Sequence, residues 1–292
     1  MIKIIYLIVL LVLLFKNNHI IIKADDCPFP QIPIKTLSGT WYDDPDHASC
    51  GFEKLTGPLG PGNRLVVALG SKLFDKGANC GQCYDVTSPF NNKTITVMAT
   101  DSCHDAGYCQ ADNHFDFYKE AFDLLGSPSG VISGNSGLSY IKVPCPTYGN
   151  VKIMMKDGSN EFWTSFLIFN SRILIKQVSI KLSNSQQFID LNRQPQGNYW
   201  PSTNMVSGEF EVRIESIGGE FIYVKIPSIE SRKIYDTGNQ FSADGCVGNK
   251  YDPYAPFQIT SNSNNILPPS LYIIFLISIL FLIINNIFSN KY

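Results

Sequence analysis

The sequence has little charge and no excess of either sign. Only 16% of its 292 residues are Asp, Glu, Lys or Arg, with 23 basic residues against 25 acidic ones and a formal net charge of -2. Soluble domains usually carry roughly 25% charged residues, so disorder driven by charge is excluded. Without a basic excess there is no basic face for nucleic acid, and no nucleic-acid partner is expected. Internal repeats and low-complexity tracts are also missing. Helical periodicity is confined to FYKEAFDLL at 117–125, which sets Phe117, Ala121, Phe122 and Leu125 on one face. What is plentiful is aromatic: 14 Tyr and 19 Phe contribute to a 12% aromatic content, which suits β-rich domains and stacking surfaces. Eight cysteines, an even number, invite pairing in an oxidising compartment.

The ends of the chain point to such a compartment. Lys3 precedes an apolar run from Ile4 to Phe15, the length of a signal-peptide core and too short for an ordinary span. Residues 1–24 therefore read as a signal peptide with cleavage near Ala24. The alternative, an uncleaved anchor, also leads into the secretory route, where disulfides are the default. A second apolar segment covers Leu271 to Phe288. As a helix it would rise about 27 Å, close to the ~30 Å hydrocarbon core. It reads as a single transmembrane span at 271–288 with the bulk of the protein outside, behind a polar linker at 257–270. Its alternative is a lipid-anchor (GPI) signal with Ser261, Asn262 and Ser263 as attachment candidates.

The remaining body divides by composition. Asp25 to Cys145 holds seven of the eight cysteines and many turn residues; Thr147 to Pro256 holds only Cys246. The expected boundary lies at Pro144-Cys145-Pro146, giving domains at 25–146 and 147–256. IKQVSIKL (175–182) and FEVRIES (210–216) alternate with period two, as half-buried strands do. The second domain thus reads as an all-β sandwich and the first as a loop-rich, disulfide-stapled β domain.

Cys80-Gly-Gln-Cys83 has the spacing of a redox pair or half a zinc site. A zinc ribbon needs a second close pair, but Cys103 and Cys109 have five residues between them. A thioredoxin-like site needs a βαβ context, but YDVTSPF reads as strand then turn. Structural disulfides remain, and no metal or cofactor is called for. Asp101 ends the strand pattern TITVMAT, Asp116 follows His114-Phe115, and Asp43, Asp44 and Asp46 follow Gly39-Thr40-Trp41-Tyr42. Two carboxylates across a groove can do acid/base work on a glycosidic bond; Asp residues in loops also cap turns. Phe162-Trp163, at the start of a strand pattern, and Tyr199-Trp200, in a loop, can stack on sugar rings or pack a core.

Taken together these residues resemble the expansin family. The matching string is Gly39-Thr40-Trp41-Tyr42, Ser49-Cys50-Gly51-Phe52, Asn79-Cys80-Gly81-Gln82-Cys83-Tyr84, Ala99-Thr100-Asp101-Ser102-Cys103, His114-Phe115-Asp116 and Lys156-Asp157-Gly158-Ser159-Asn160. It runs in order across about two thirds of the chain. The resemblance implies a six-stranded double-psi β-barrel followed by an immunoglobulin-like β-sandwich that binds cellulose. It implies non-hydrolytic loosening of wall polysaccharide by a monomer whose partner is cellulose or another β-glucan. Expansins share this barrel with family-45 endoglucanases and keep the Asp acid of the His-Phe-Asp motif while generally lacking the base. Asp116 matches the acid, Asp101 the Thr-Asp carboxylate of the same groove, and Thr40 and Tyr42 the groove's Thr and aromatic. This sequence departs at Asp44, which occupies the hydrolases' base position where plant expansins usually have Gly. Hydrolysis by Asp116 and Asp44 is therefore a rival reading, and a non-catalytic cellulose tether at the cell surface is another.

Phe162 and Trp163 fall where the family has adjacent surface aromatics; Tyr199 and Trp200 lie near its third platform position, which could instead fall on Gly197. The family suggests the disulfides Cys50–Cys80, Cys83–Cys145 and Cys103–Cys109, and Cys27 is left with Cys246. Asn92-Lys93-Thr94 is an N-glycan acceptor.

Overall fold

The computed structural model describes residues 27–246 except 36–37, 56–64, 106, 134–136 and 203–205. By its contacts the chain falls into two units, 1–251 and 252–292. The expected signal peptide and linker, the apolar 271–288 segment and the anchor candidates Ser261, Asn262 and Ser263 lie outside the described residues. Among the described residues, no helix is long and apolar enough to cross a membrane.

The first part of the chain forms one curled eight-stranded sheet. Its strands are β1 (Ile34–Lys35), β2 (Ser38–Tyr42), β3 (Val66–Leu69), β4 (Cys83–Thr87), β5 (Thr94–Ser102), β6 (His114–Tyr118), β7 (Ile132–Ser133) and β8 (Ser139–Val143). Their order is β1-β8-β4-β5-β3-β6-β2-β7. Six strands have four or more residues, and the two-residue β1 and β7 close the ends of the sheet. Two pairings, β2–β6 and β3–β5, are parallel and need long crossovers. The expected helix at 117–125 is shorter, Lys119–Leu124. Phe117 and Tyr118 stay in β6, because its register with β2 continues through Tyr42↔Tyr118.

The second part holds two four-stranded antiparallel sheets. One joins β9 (Lys152–Met155), β10 (Thr164–Phe169), β13 (Tyr199–Ser202) and β16 (Ile234–Asp236) in the order β13-β10-β9-β16. The other joins β11 (Ile175–Leu182), β12 (Ile189–Asp190), β14 (Phe210–Ser216) and β15 (Phe221–Ile226) in the order β12-β11-β14-β15. Between them lies a core that includes Ile153, Phe166, Val178, Ile214 and Trp200.

β10 is buried at every residue. Phe166 and Ile168 point into the sandwich core, while Leu167 and Phe169 belong to the barrel core with Phe115, Phe117 and Val97. One sheet of the sandwich therefore has the barrel against its outer face, and the outer face of the other carries the exposed Phe221 and Tyr223. Arg193 locks this junction. Its guanidinium donates to Gly77 O in the barrel (2.6 Å) and Ile175 O in the sandwich (2.6 Å) and lies 4.7 Å from the Trp200 ring centroid. Burial pulls its pKa down to about 10, against the opposing charge of Asp75. Gly77 has φ +96°, and a Cβ there would lie 2.2 Å from Gly197 O, so only glycine permits this approach.

Four disulfides staple the fold: Cys50–Cys80, Cys83–Cys145, Cys103–Cys109 and Cys27–Cys246. The last joins the start of the described chain to its end.

Candidate functional site

Cross-strand register brings four residues into one row. Asp101 on β5 and Asp116 on β6 both face Ala68 of β3, and Thr40 of β2 faces Asp116. Strands lie ~4.8 Å apart, so the two Asp Cα atoms are about 10 Å apart. Ala68, buried between them, adds only a methyl group and leaves a groove floor. Asp101 reaches this row through an irregularity in the ladder. Val67 pairs with Ala99 but Ala68 pairs with Asp101, so Thr100 is an extra residue that re-aims the end of the strand.

The two carboxylates have different surroundings. Asp101 Oδ1 accepts from Ser49 N (2.7 Å), Ser49 Oγ (2.5 Å) and Ser102 N (2.8 Å). It ties the loop after β2 to the end of β5. Asp116 Oδ1 accepts from Thr40 Oγ1 at 2.6 Å, and its Oδ2 lies 3.9 Å from Cys103 Sγ. Burial raises its pKa above the ordinary carboxylate value; the Thr40 hydrogen bond opposes this, and the charges of Asp105 and Asp101 add to it.

Behind Thr40 stands fully buried His114, whose Nε2 is 3.0 Å from Thr40 Oγ1 and whose Nδ1 is 2.7 Å from Ser38 Oγ. Burial pushes its pKa down to about 4, so the ring is neutral. Thr40 has one proton, which goes to Asp116. Its oxygen therefore accepts from His114 Nε2–H, and Nδ1 accepts from Ser38. In the sequence His114 stands out only as part of a motif, and Ser38 does not stand out at all. The available signal is strand parity, since residues two apart share a face.

Tyr42 lies on the same face of β2 as Thr40, two residues on, and Trp41 between them turns outward. Burial raises the Tyr42 pKa, followed by the charge of Asp101 and, more weakly, those of Asp116 and Asp44. Asp44 itself sits at the rim with its side chain 66% exposed. It accepts from Asp46 N (3.0 Å) and pairs with His47 Nδ1 (3.0 Å), as a turn residue does. The carboxylates whose charges act on Asp116 are Asp105 and Asp101, not Asp44. Cys103, Cys109 and His114 bring three potential metal-ligand atoms within 4.8 Å of one another. The two sulfurs are bonded to each other, which removes the thiolates a metal would use.

On the sandwich, Phe162 is 70% and Trp163 41% exposed. Asn160 Oδ1 accepts from both backbone amides, at 2.9 and 3.2 Å, and so fixes the bend that shows both rings. Lys156 Nζ lies 6.0 Å from the Trp163 ring centroid and 4.4 Å from that of half-buried Tyr199. Trp200 requires a correction. It is not in a loop but in β13, where neighbours face opposite ways, and at 2% exposure it is a core ring that no polymer reaches. Gly197 stands at the junction against Gly77. Asn92 is exposed in the turn between β4 and β5, open to glycosylation.

Residues 2–140 match the family model described as Expansin N-terminal domain, and residues 150–242 match Expansin-like protein middle domain. Among known proteins, expansin-like protein 1 of Dictyostelium discoideum is 50% identical over 96% of this chain and 98% of its own length. Expansin-like protein 3 of the same organism is 58% identical over 85% of this chain and 74% of its own. A solved expansin of Clavibacter michiganensis aligns over 72% of this chain and 98% of its own in two forms. The apo form has TM-score 0.61 at 24% identity, and a mutant in complex with cellohexaose has 0.59 at 23%. The fold is accordingly a double-psi β-barrel followed by an immunoglobulin-like β-sandwich.

Proposed function

Because the chain belongs to the expansin family, we propose that it loosens cellulose or another β-glucan without hydrolysing it. Chains in a microfibril are held by many weak hydrogen bonds and dispersion contacts, strong only in sum. In this reading the barrel groove holds one glucan chain, with Asp116 and Asp101 accepting from its hydroxyl groups, and shifts it off its neighbours. Phe162, Trp163 and Tyr199 hold the protein on the polymer surface. The signal peptide read at 1–24 and the apolar segment 271–288 route the monomer to the cell surface and keep it there as a span or lipid anchor, and the four disulfides suit an oxidising exterior.

The observation that carries a non-hydrolytic reading is that both base candidates, Asp101 and Asp44, are tied up in other contacts. Cleavage needs an acid and a free carboxylate opposite it. Asp101 Oδ1 already takes three donors, and Asp44 is held in an exposed turn with His47. The bound cellohexaose of the bacterial mutant supports a β-1,4-glucan as the polymer. The test is a creep assay on stretched wall material beside a reducing-sugar assay on soluble β-1,4-glucan. We expect creep from the unaltered protein, loss of creep in Asp116→Asn with cellulose retention kept, and no sugar release. Undiminished creep in Asp116→Asn takes Asp116 out of the mechanism. Sustained sugar release, lost in both Asp44→Asn and Asp116→Asn, makes the protein a glucanase instead. Retention without creep leaves a tether.

A further inference from the structure

The outer face of the β12-β11-β14-β15 sheet carries rings, exposed among the described residues, that the proposed function does not use. Register sets this face in rows: Glu215 beside Phe221, then Asp190, Ser179, Arg213 and Tyr223 in line, then Lys181, Glu211 and Lys225. Phe221 and Tyr223 are 48% and 49% exposed, two residues apart on the edge strand β15. Their ring centroids lie 6.3 Å apart, and Phe188 lies 5.9 Å from Tyr223. Arg213 lies 4.6 Å from the Phe188 centroid and 5.7 Å from that of Phe221, with its Nη2 donating to Ser179 Oγ and Asp190 Oδ1. The rings are therefore held before any ligand arrives, which lowers the entropic cost of binding. Beside them opens a cleft of about 340 Å³ lined by Phe221, Tyr223 and Asn239.

The charges on this face decide what it fits. Among the described residues, four cations stand there and each has its own carboxylate: Lys176–Glu215, Lys181–Glu211, Arg213–Asp190 and Lys225–Glu209, at 2.5 to 3.6 Å. A balanced face has no field to attract an anionic or cationic partner. A row of rigid rings rimmed by paired polar groups suits a neutral ligand with apolar C–H faces and hydroxyl edges. We propose that this is a second binding face for an uncharged β-glucan chain, so that one molecule can hold two chains, one at each side of the sandwich. The proposal rests on the polysaccharide function proposed for the groove and extends it to a different surface.

The test uses the full-length protein on suspended cellulose crystals, with retention and crystal-to-crystal bridging as readouts. In Phe162→Ala with Trp163→Ala, retention should fall about tenfold, as ~1.4 kcal/mol of lost ring contact would give, and leave a measurable remainder. Adding Phe221→Ala and Tyr223→Ala should lower that remainder further, to what the barrel groove alone retains. The second pair alone should keep most retention and lose bridging. Phe221→Thr with Tyr223→Thr repeats the test with residues that favour strands and should behave alike. Bridging and residual retention unchanged by either pair overturn the second face while leaving the polysaccharide function intact. Absence of retention in the unaltered protein overturns both.

Discussion

In the barrel, Thr40, Asp116 and Asp101 are already engaged with other protein atoms. Ser38 holds His114, His114 holds Thr40, Thr40 holds Asp116, and Ser49 and Ser102 hold Asp101. In the sandwich, Phe162 and Trp163 are set by a backbone turn on Asn160, with Lys156 beside the Trp163 ring, and both rings stay exposed. In the proposed function, the groove's directional, prearranged acceptors fix how a sugar sits, and the rings, which give area and no direction, fix where the protein sits. A polymer that is both hydroxylated and flat-faced needs each of these for a different purpose.

The contrast should break most severely at a residue that serves neither surface. Trp200 packs in the sandwich core under Arg193, so Trp200→Ala should cost about 3–5 kcal/mol and lower the melting temperature of the whole described body, since Arg193 also holds the barrel. A calorimetric scan that showed the sandwich melting early and the barrel unaffected would separate the two regions more than the shared β10 allows. A smaller effect should follow from Phe162→Ala with Trp163→Ala. Cellulose retention should fall about tenfold while the unfolding curve stays in place, because both rings are exposed; a shifted curve would make them structural.

The smallest effect sharpens the groove side. Asp116 has a raised pKa in the folded state, so between the ordinary carboxylate value and that raised value the folded protein holds a proton that the unfolded chain has released. Stability therefore falls as pH rises through this window. Asp116→Asn should melt slightly higher than the unaltered protein at neutral pH, and the difference should vanish below the ordinary carboxylate range. An unchanged difference across the titration would mean that the carboxylate is not desolvated.

The fold is legible in the sequence where burial is one-sided. β14 reads FEVRIES and alternates buried and half-buried residues along its length, and the expected strand has the same bounds. β13 reads as a loop because Gly197-Asn198 precedes it and Pro201 lies within it. It is an edge strand, where a proline without an N–H is tolerated. The placement of its two rings depends on that difference, since a loop can show both and a strand cannot. The helix starts two residues later than its periodicity suggests because Phe117 fits the helical face and the strand face equally. In the groove, motif resemblance names Thr40, Asp101 and Asp116, but 76 residues separate Thr40 from Asp116. Only the parallel pairing of β2 with β6 makes them neighbours, and only that pairing exposes the part played by Ser38 and His114.

The Cys27–Cys246 bond makes the described body a covalent ring, with the Cα atoms of its two closing residues 4.7 Å apart. Chain entering at Cys27 and chain leaving at Cys246 meet at one point. Tension pulled between those two ends runs through a single sulfur–sulfur bond and bypasses every hydrogen-bonded strand. A pull applied at both ends of the described body therefore leaves its strands unloaded, where an open chain would be peeled from its ends.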